Sequence, residues 1–168
     1  TGVSASHVEM NSGIQFYDKI STEDIQQILI KSANDLISLE NPNYQYVAAR
    51  LLLFSLRKSL HHRLWEHPKF ITHIKKLVDL GLYDKGILDN YTEAEIDRMG
   101  MWIDHERDYS FTYAGLRQVM DKYLVQDRST GEIFETPQFM YMMISATLFA
   151  KYPKESRLQY VKKYYDAI

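Results

Sequence analysis

The side chains that could do chemistry in this chain are histidines, carboxylates and a few cations, because there is no cysteine. A disulfide, a thiolate metal site and a cysteine nucleophile are therefore excluded from these 168 residues. The glycines are too scattered for a phosphate-binding loop or a dinucleotide fingerprint. No two histidines have the four-residue spacing of a helical zinc motif. We interpret all six as ordinary surface or core residues: His7, His61, His62, His67, His73 and His105.

Three carboxylates alternate with other polar residues at Asp104, Glu106 and Asp108, a pattern that could suggest a cation site. The glycine and the distal bidentate glutamate of a calcium loop are missing, however. We favour a polar turn in which Asp108 or Ser110 caps the next helix and Arg107 pairs locally. No metal is expected in this chain.

Three cations interrupt the segment 44–60, which reads as a helix that is apolar on most of its circumference. Arg57 and Lys58 follow Arg50 by seven and eight residues, so the three fall within about 100° of one another on the helix. Cations that share one face in this way need either solvent or an anion.

Most of the chain has the apolar spacing of helices, and the helix starts are marked by capping boxes or prolines. The segments 123–126 and 132–135 are strand-like and flank a loop of turn-forming residues. We predict a mainly α fold, a helical bundle with one β-hairpin near residues 123–135. The predicted starts are Ser6, Ser21, Pro68, Thr92, Pro137 and Pro153, and Gly81 is expected to end the helix that follows Pro68.

The composition is that of a folded globular chain, with 45% hydrophobic and 25% charged residues. A net charge of −2 gives no reason to expect nucleic acid or an anionic membrane as a partner. The apolar segment 139–150 is shorter than the roughly 20 residues that cross a bilayer. We therefore expect a soluble, cytoplasmic protein. Both ends look cut, because no initiator Met opens the chain and no helix terminator closes it.

Five sequence blocks resemble, in order along the whole chain, the large subunit of oxygen-dependent (class I) ribonucleotide reductase. The collinearity of the blocks is what makes the resemblance specific. They are IQFYDKIST at 14–22, YQYVAARLLLFSLRK at 44–58, LYDKGILDNYTEAE at 82–95, KYLVQDRSTGEIFETPQF at 122–139 and RLQYVKKYYDAI at 157–168.

The resemblance implies two domains: residues 1–60 as the C-terminal part of an ATP cone, and 61–168 as a helical domain that leads into a catalytic barrel. The cone binds ATP as activator or dATP as inhibitor, and Thr22 and Lys58 match its nucleotide-binding positions. The residue types agree, because Thr22 lies in the first turn of a helix, where free N–H groups favour phosphate, and Lys58 can supply a counter-charge. Gln26 is a further candidate; it and Ser55 stand where some relatives carry His.

By the same resemblance, the parent enzyme is an oxidoreductase that reduces ribonucleotides to deoxyribonucleotides for DNA synthesis. Its catalytic cysteines lie beyond residue 168, so we expect the chain alone to be inactive. Because the front strands of the cone are absent, we also expect it to bind nucleotide weakly.

The partners implied are a second large subunit, the small radical-bearing (beta) subunit and the nucleotide effector. Ser6, His7 and Glu9 begin the helix that would contact the small subunit. The alternative function is a free-standing helical protein-interaction module.

Overall fold

The computed structural model describes residues 2–61 and 66–168. The described residues fold mainly into helices, which confirms the predicted helical character. In chain order the α-helices are α1 (Ala5–Gly13), α2 (Thr22–Asp35), α3 (Tyr44–His61), α4 (Phe70–Asp79), α5 (Gly86–Asn90), α6 (Glu93–Trp102), α7 (Tyr113–Lys122), α8 (Pro137–Phe149) and α9 (Lys154–Ala167). A 3₁₀ helix at His105–Ser110 precedes α7.

The chain divides into two compact units. The first combines Thr1–Leu64 with Glu106–Tyr123, and the second combines Trp65–His105 with Leu124–Ile168. In the first unit α2 packs against both α1 and α3, and α3 packs against α7. In the second unit α6 packs against α4 and α9, and α8 packs against α9. The segment that carries α7 thus belongs to the first unit, although the chain on both sides of it belongs to the second.

Each unit has an apolar core built from the helical stripes of the sequence. A small cluster of Val8, Ala33, Tyr44 and Ala48 lies at the centre of the packing of α1 to α3. The second unit has a larger core, which includes Phe70, Ile74, Ile96, Met99, Phe139, Met142, Ala146, Val161 and Tyr165.

Local end signals set several helix boundaries as predicted. The Thr92 side chain accepts from the backbone N–H of Glu95, and the Glu95 carboxylate accepts from the backbone N–H of Thr92, which completes a capping box for α6. Gly81 has φ +71°, and α4 ends there with N–H bonds from Gly81 to Val78 O and from Leu82 to Leu77 O. This is the Schellman arrangement, which a glycine adopts without steric cost.

Three predicted helix starts are wrong. Pro68 lies outside α4, which begins at Phe70 and has Lys69 as its N-cap residue. Ser6 lies inside α1, whose N-cap residue is Ser4 and has no side-chain cap. The helix after the acidic turn is capped by Thr112, which accepts from the N–H of Gly115 at 3.1 Å, and not by Asp108 or Ser110.

The β-hairpin predicted near residues 123–135 is also wrong, because the described residues contain no strand there. The chain does fold back, with one isolated antiparallel bridge between Gln126 and Ile133. Side chains take the N–H groups that would extend the ladder: the N–H of Val125 donates to the Glu135 carboxylate, and that of Glu132 donates to Thr130 Oγ1. Tyr123 has αR backbone angles as the C-cap of α7, so the first predicted strand loses its first residue as well.

Candidate functional site

The residues predicted to bind nucleotide lie on the packed helices α2 and α3. Thr22 is the first residue of α2 and is exposed. The cap itself is made by Ser21, whose Oγ accepts from the N–H of Asp24 at 3.0 Å. The hydroxyl of Thr22 therefore has no capping role and no hydrogen-bond partner among the described residues, so it is available to a ligand.

Lys58 lies in the last turn of α3 and is also exposed. Its ammonium group makes no ion pair with any residue that the structure describes. Gln26 is half-buried, and its Nε2 donates to the backbone carbonyl of Leu51 at 2.9 Å. One face of Gln26 is thus used to join α2 to α3.

The hydrogen bond from Gln26 to Leu51 fixes the register of the two helices. Ala33 meets Tyr44 and Ala48 farther along, so α2 and α3 run antiparallel. Thr22 lies four residues before Gln26, roughly 6 Å along α2, and Lys58 lies seven residues after Leu51, roughly 10 Å along α3. Both displacements point the same way, so Thr22 and Lys58 lie at the same end of the α2–α3 pair.

The electrostatics of this end are mixed. The free N–H groups of α2 favour an anion, but Glu23 and Asp24 place two carboxylates in the first turn. Asp24 accepts hydrogen bonds from Ser21 at 2.8 Å and Tyr17 at 3.3 Å, and its charge raises the pKa of the Tyr17 hydroxyl. An anionic ligand here would need a cation from outside α2. Lys58 is the candidate site residue that can supply one.

Arg57, the residue before Lys58, has the opposite environment. It is 1% exposed, and its Nη2 lies 3.3 Å from a carboxylate oxygen of Asp108, which is equally buried. The three cations of α3 therefore do not share one solvated face, because Arg57 faces the interior of the first unit. Asp108 is the anion that satisfies Arg57, and the predicted polar turn of residues 104–108 is partly a buried structural element.

Comparisons with known proteins match two domains to this chain. Residues 4–59 match the ATP cone domain, and residues 109–168 match the all-alpha domain of ribonucleotide reductase. The chain is 52% identical to ribonucleoside-diphosphate reductase 1 subunit alpha of Escherichia coli (strain K12), over 99% of this chain and 22% of that protein.

The alpha subunit of Haemophilus influenzae is 53% identical over 98% of the chain, and that of Enterobacteria phage T4 is 44% identical over 99%. The chain belongs to the ribonucleotide reductase alpha-subunit family. It spans about a fifth, 22%, of the length of these curated relatives and corresponds to their amino-terminal region.

Within this reductase region, the residues predicted to contact the small subunit lie on α1. Ser6 and Glu9 are exposed. His7 is exposed as well, and its Nδ1 lies 3.2 Å from the hydroxyl of Tyr44, which ties α1 to the start of α3. The side chains of Ser6 and Glu9 thus form no hydrogen bond or ion pair with the described residues.

No group of three potential metal ligands occurs in the part of the chain that the structure describes. Five of the six histidines fall in this part, and His62 lies outside the described residues. His73 is buried beside Phe139, with ring centroids 4.4 Å apart, as a core residue would be. The described helices include none that is both long and apolar enough to cross a membrane.

Sequence reasoning missed three polar contacts in this reductase region, each of which has at least one buried side chain. Besides Arg57 with Asp108, Arg157 pairs with Glu95, and the hydroxyl of Tyr83 donates to the buried carboxylate of Glu135. One signal was present for Arg57: a helix that is apolar on most of its circumference must bury part of any cationic stripe. The other two contacts join residues more than 50 positions apart and left no local pattern.

Proposed function

We propose that this chain is the allosteric, ATP- and dATP-sensing amino-terminal region of a ribonucleoside-diphosphate reductase large subunit. The parent enzyme would reduce ribonucleotides to deoxyribonucleotides for DNA synthesis. Residues 1–60 would be the C-terminal part of the cone, and 61–168 the helical domain before the barrel. The ATP cone match over residues 4–59 supports the nucleotide effector.

The observation that carries the proposed site is the common end of α2 and α3, where Thr22 and Lys58 are both exposed. A triphosphate would lie over the first turn of α2, receive hydrogen bonds from the Thr22 hydroxyl and the free N–H groups, and pair with the Lys58 ammonium. Gln26 would mainly hold the two helices in register, and its amide oxygen would remain available to the ligand.

Removal of Lys58 should weaken nucleotide binding more than removal of Thr22. A charge-assisted hydrogen bond contributes about 1.5 to 3 kcal/mol, whereas a neutral one contributes about 0.5 to 1.5 kcal/mol. The carboxylates of Glu23 and Asp24 oppose the phosphate, so the Lys58 cation is the larger favourable contribution. In the intact large subunit, Lys58→Ala should therefore reduce dATP affinity by about one to two orders of magnitude, and Thr22→Ala by less.

Calorimetric titration of dATP and ATP into the intact subunit and both variants tests the site. Lys31→Ala is a matched control, because Lys31 is an exposed lysine of α2 that forms an exposed ion pair with Asp35, at 3.9 Å. It should bind like the unmutated protein. If Lys58→Ala bound dATP as tightly as this control, the assignment of the site would be wrong.

We also propose a second large subunit and the small radical-bearing subunit as protein partners. The exposed residues Ser6, His7 and Glu9 on α1 are our candidates for contact with the small subunit. Glu9 is the best of them to test, because its exposed side chain makes no hydrogen bond or ion pair with any residue that the structure describes.

A further inference from the structure

Arg57 and Lys58 are consecutive residues with opposite environments. Lys58 is exposed at the proposed nucleotide site, whereas Arg57 is 1% exposed inside the first unit. An arginine side chain keeps its positive charge in proteins, so a buried arginine must retain its partners. The residues that bind the Arg57 guanidinium therefore hold the buried side of this end of α3 in place.

The guanidinium of Arg57 is held by two residues of the 3₁₀ helix. Nη2 lies 3.3 Å from Oδ2 of Asp108, and Nη1 donates to the hydroxyl of Tyr109 at 3.1 Å. The Arg57 guanidinium carbon also lies 5.1 Å from the centroid of the Tyr109 ring. Arg50 lies 5.9 Å from the same centroid, and Phe54 contacts the ring edge-on. Three positions on successive turns of α3, Arg50, Phe54 and Arg57, thus contact Tyr109.

Asp108 and Tyr109, which bind Arg57, belong to a segment that is flanked on both sides in the sequence by residues of the second unit. Glu106–Tyr123 is the one segment that leaves the second unit in sequence and joins the first. Asp108 and Tyr109 lie at its start, and α7, which packs on α3, follows. Arg57 therefore forms hydrogen bonds with a segment whose two ends continue along the chain into the second unit.

We infer that Arg57 is a positioning residue for Lys58, and that it links nucleotide affinity to the order of residues 106–112. This inference rests on the proposed nucleotide site. The ion pair between Arg57 and Asp108 and the contacts with Tyr109 hold this end of α3 against the 3₁₀ helix. A ligand that holds Lys58 in place should then also stabilise residues 106–112. Because such coupling is reciprocal, disorder in those residues should lower the affinity for the ligand.

Hydrogen exchange and calorimetry in the intact large subunit test both directions of the coupling. In the unmutated protein, dATP should slow amide exchange in residues 106–112, which are not part of the nucleotide site. Asp108→Asn removes the charge that holds Arg57, and we expect dATP affinity to fall roughly fivefold or more. The dATP-dependent protection of residues 106–112 should be lost in this variant.

Two further variants separate positioning from general stability. Asp121→Asn is the matched control, because Asp121 lies on α7 of the same unit, with an exposed ion pair to Arg117 at 2.9 Å. It should leave affinity and protection unchanged. Tyr109→Phe keeps the ring and removes only the hydroxyl that accepts from Arg57, so it should give a smaller loss. It also provides the test should Asp108→Asn fail to fold.

The possible outcomes separate the inference from the proposed function. If the unmutated subunit binds dATP without slower exchange in residues 106–112, and Tyr109→Phe and Asp108→Asn bind it equally well, the inference is overturned and the nucleotide site survives. If the unmutated subunit does not bind dATP, the proposed site fails and the inference fails with it. Reduced affinity and lost protection in the two variants, with an unchanged Asp121→Asn control, support the inference.

Discussion

Arg157 and Glu95 form a bidentate ion pair that joins α9 to the first turn of α6. Nη2 of Arg157 lies 2.7 and 2.8 Å from the two carboxylate oxygens of Glu95, and Nε lies 3.1 Å from one of them. The guanidinium carbon of Arg157 also lies 4.3 Å from the centroid of the Tyr91 ring. Because Glu95 also completes the capping box with the N-cap residue Thr92, one carboxylate stabilises both the start of α6 and a tertiary contact.

The first prediction concerns the stability that this pair provides. Arg157→Met keeps an apolar chain of similar length but removes a hydrogen-bonded charge, and should lower the free energy of unfolding by about 2 to 3 kcal/mol. The control is Lys162→Met, which breaks the exposed pair of Lys162 with Asp166 on the same helix and should change it by less than about 1 kcal/mol. Urea unfolding measures both. Equal effects would mean that burial does not strengthen the pair.

The second prediction is the pH dependence of the same contact. Burial acts to raise the pKa of Glu95, but the hydrogen bonds from Arg157 and Thr92 outweigh it and hold the pKa below the ordinary value of 4.5. Because the folded pKa is the lower one, the stabilisation is present above pH 4.5 and is lost as the pH falls through the folded pKa.

Urea unfolding of the unmutated protein and Glu95→Gln at several pH values tests this sign. The advantage of the unmutated protein should be largest at neutral pH and should shrink below pH 4.5. An advantage that stayed constant down to pH 3 would contradict a lowered pKa.

The third prediction concerns Glu135, where the pH dependence has the opposite sign. Burial raises the pKa of Glu135, and this effect exceeds that of the hydrogen bonds from Tyr83 and the N–H of Val125, which lower it. The folded state therefore holds the proton to a higher pH than the unfolded state does. Stability should fall as the pH rises above 4.5, by about 1.4 kcal/mol for each unit of pKa difference.

Glu135→Gln supplies the reference for this measurement, because it keeps the shape of the side chain without its charge. The difference in unfolding free energy should move in favour of Glu135→Gln as the pH rises from 4 to 7. A difference that did not depend on pH would show that the carboxylate has the same pKa in both states.

The fourth prediction addresses the proposed contact with the small subunit. Glu9→Lys reverses one exposed charge on α1 and should leave folding unchanged, because the Glu9 side chain has no hydrogen bond or ion pair within the described part of the chain. In the intact large subunit it should weaken dATP-induced assembly with the small subunit, measured by light scattering. Glu40→Lys reverses an exposed charge elsewhere in the same unit and should assemble normally. Normal assembly of Glu9→Lys would remove α1 from the interface.

The features predicted correctly from the sequence are those that depend on near neighbours. The cap of α2 at Ser21, the capping box of α6 at Thr92 and the Schellman end at Gly81 each involve residues within five positions of one another. Their side-chain and backbone requirements are therefore visible in the sequence itself.

The features that were missed depend on distant residues. Residues 123–135 have a strand-like sequence pattern, but the backbone N–H of Val125 donates to the Glu135 carboxylate, and the segment forms an isolated bridge between Gln126 and Ile133. Arg57 and Lys58 differ by about 100° around α3, and only the packing of a segment 51 positions away decides which of them is buried. Of the candidate site, the helix positions of Thr22 and Lys58 could be predicted, but the bond from Gln26 to Leu51 could not.

The membership of α7 in the first unit limits how this region can be exchanged between proteins in evolution. A recombination event that transferred only residues 4–59, the extent of the ATP cone match, would leave behind α7 and the partners of Arg57. The recipient would expose the apolar face of α3 to water and would need a new anion for a side chain that cannot lose its charge. A gene fusion that transfers nucleotide regulation to another protein should therefore either include α7 or supply a helix that replaces it. The transferred segment should thus be longer than the ATP cone alone.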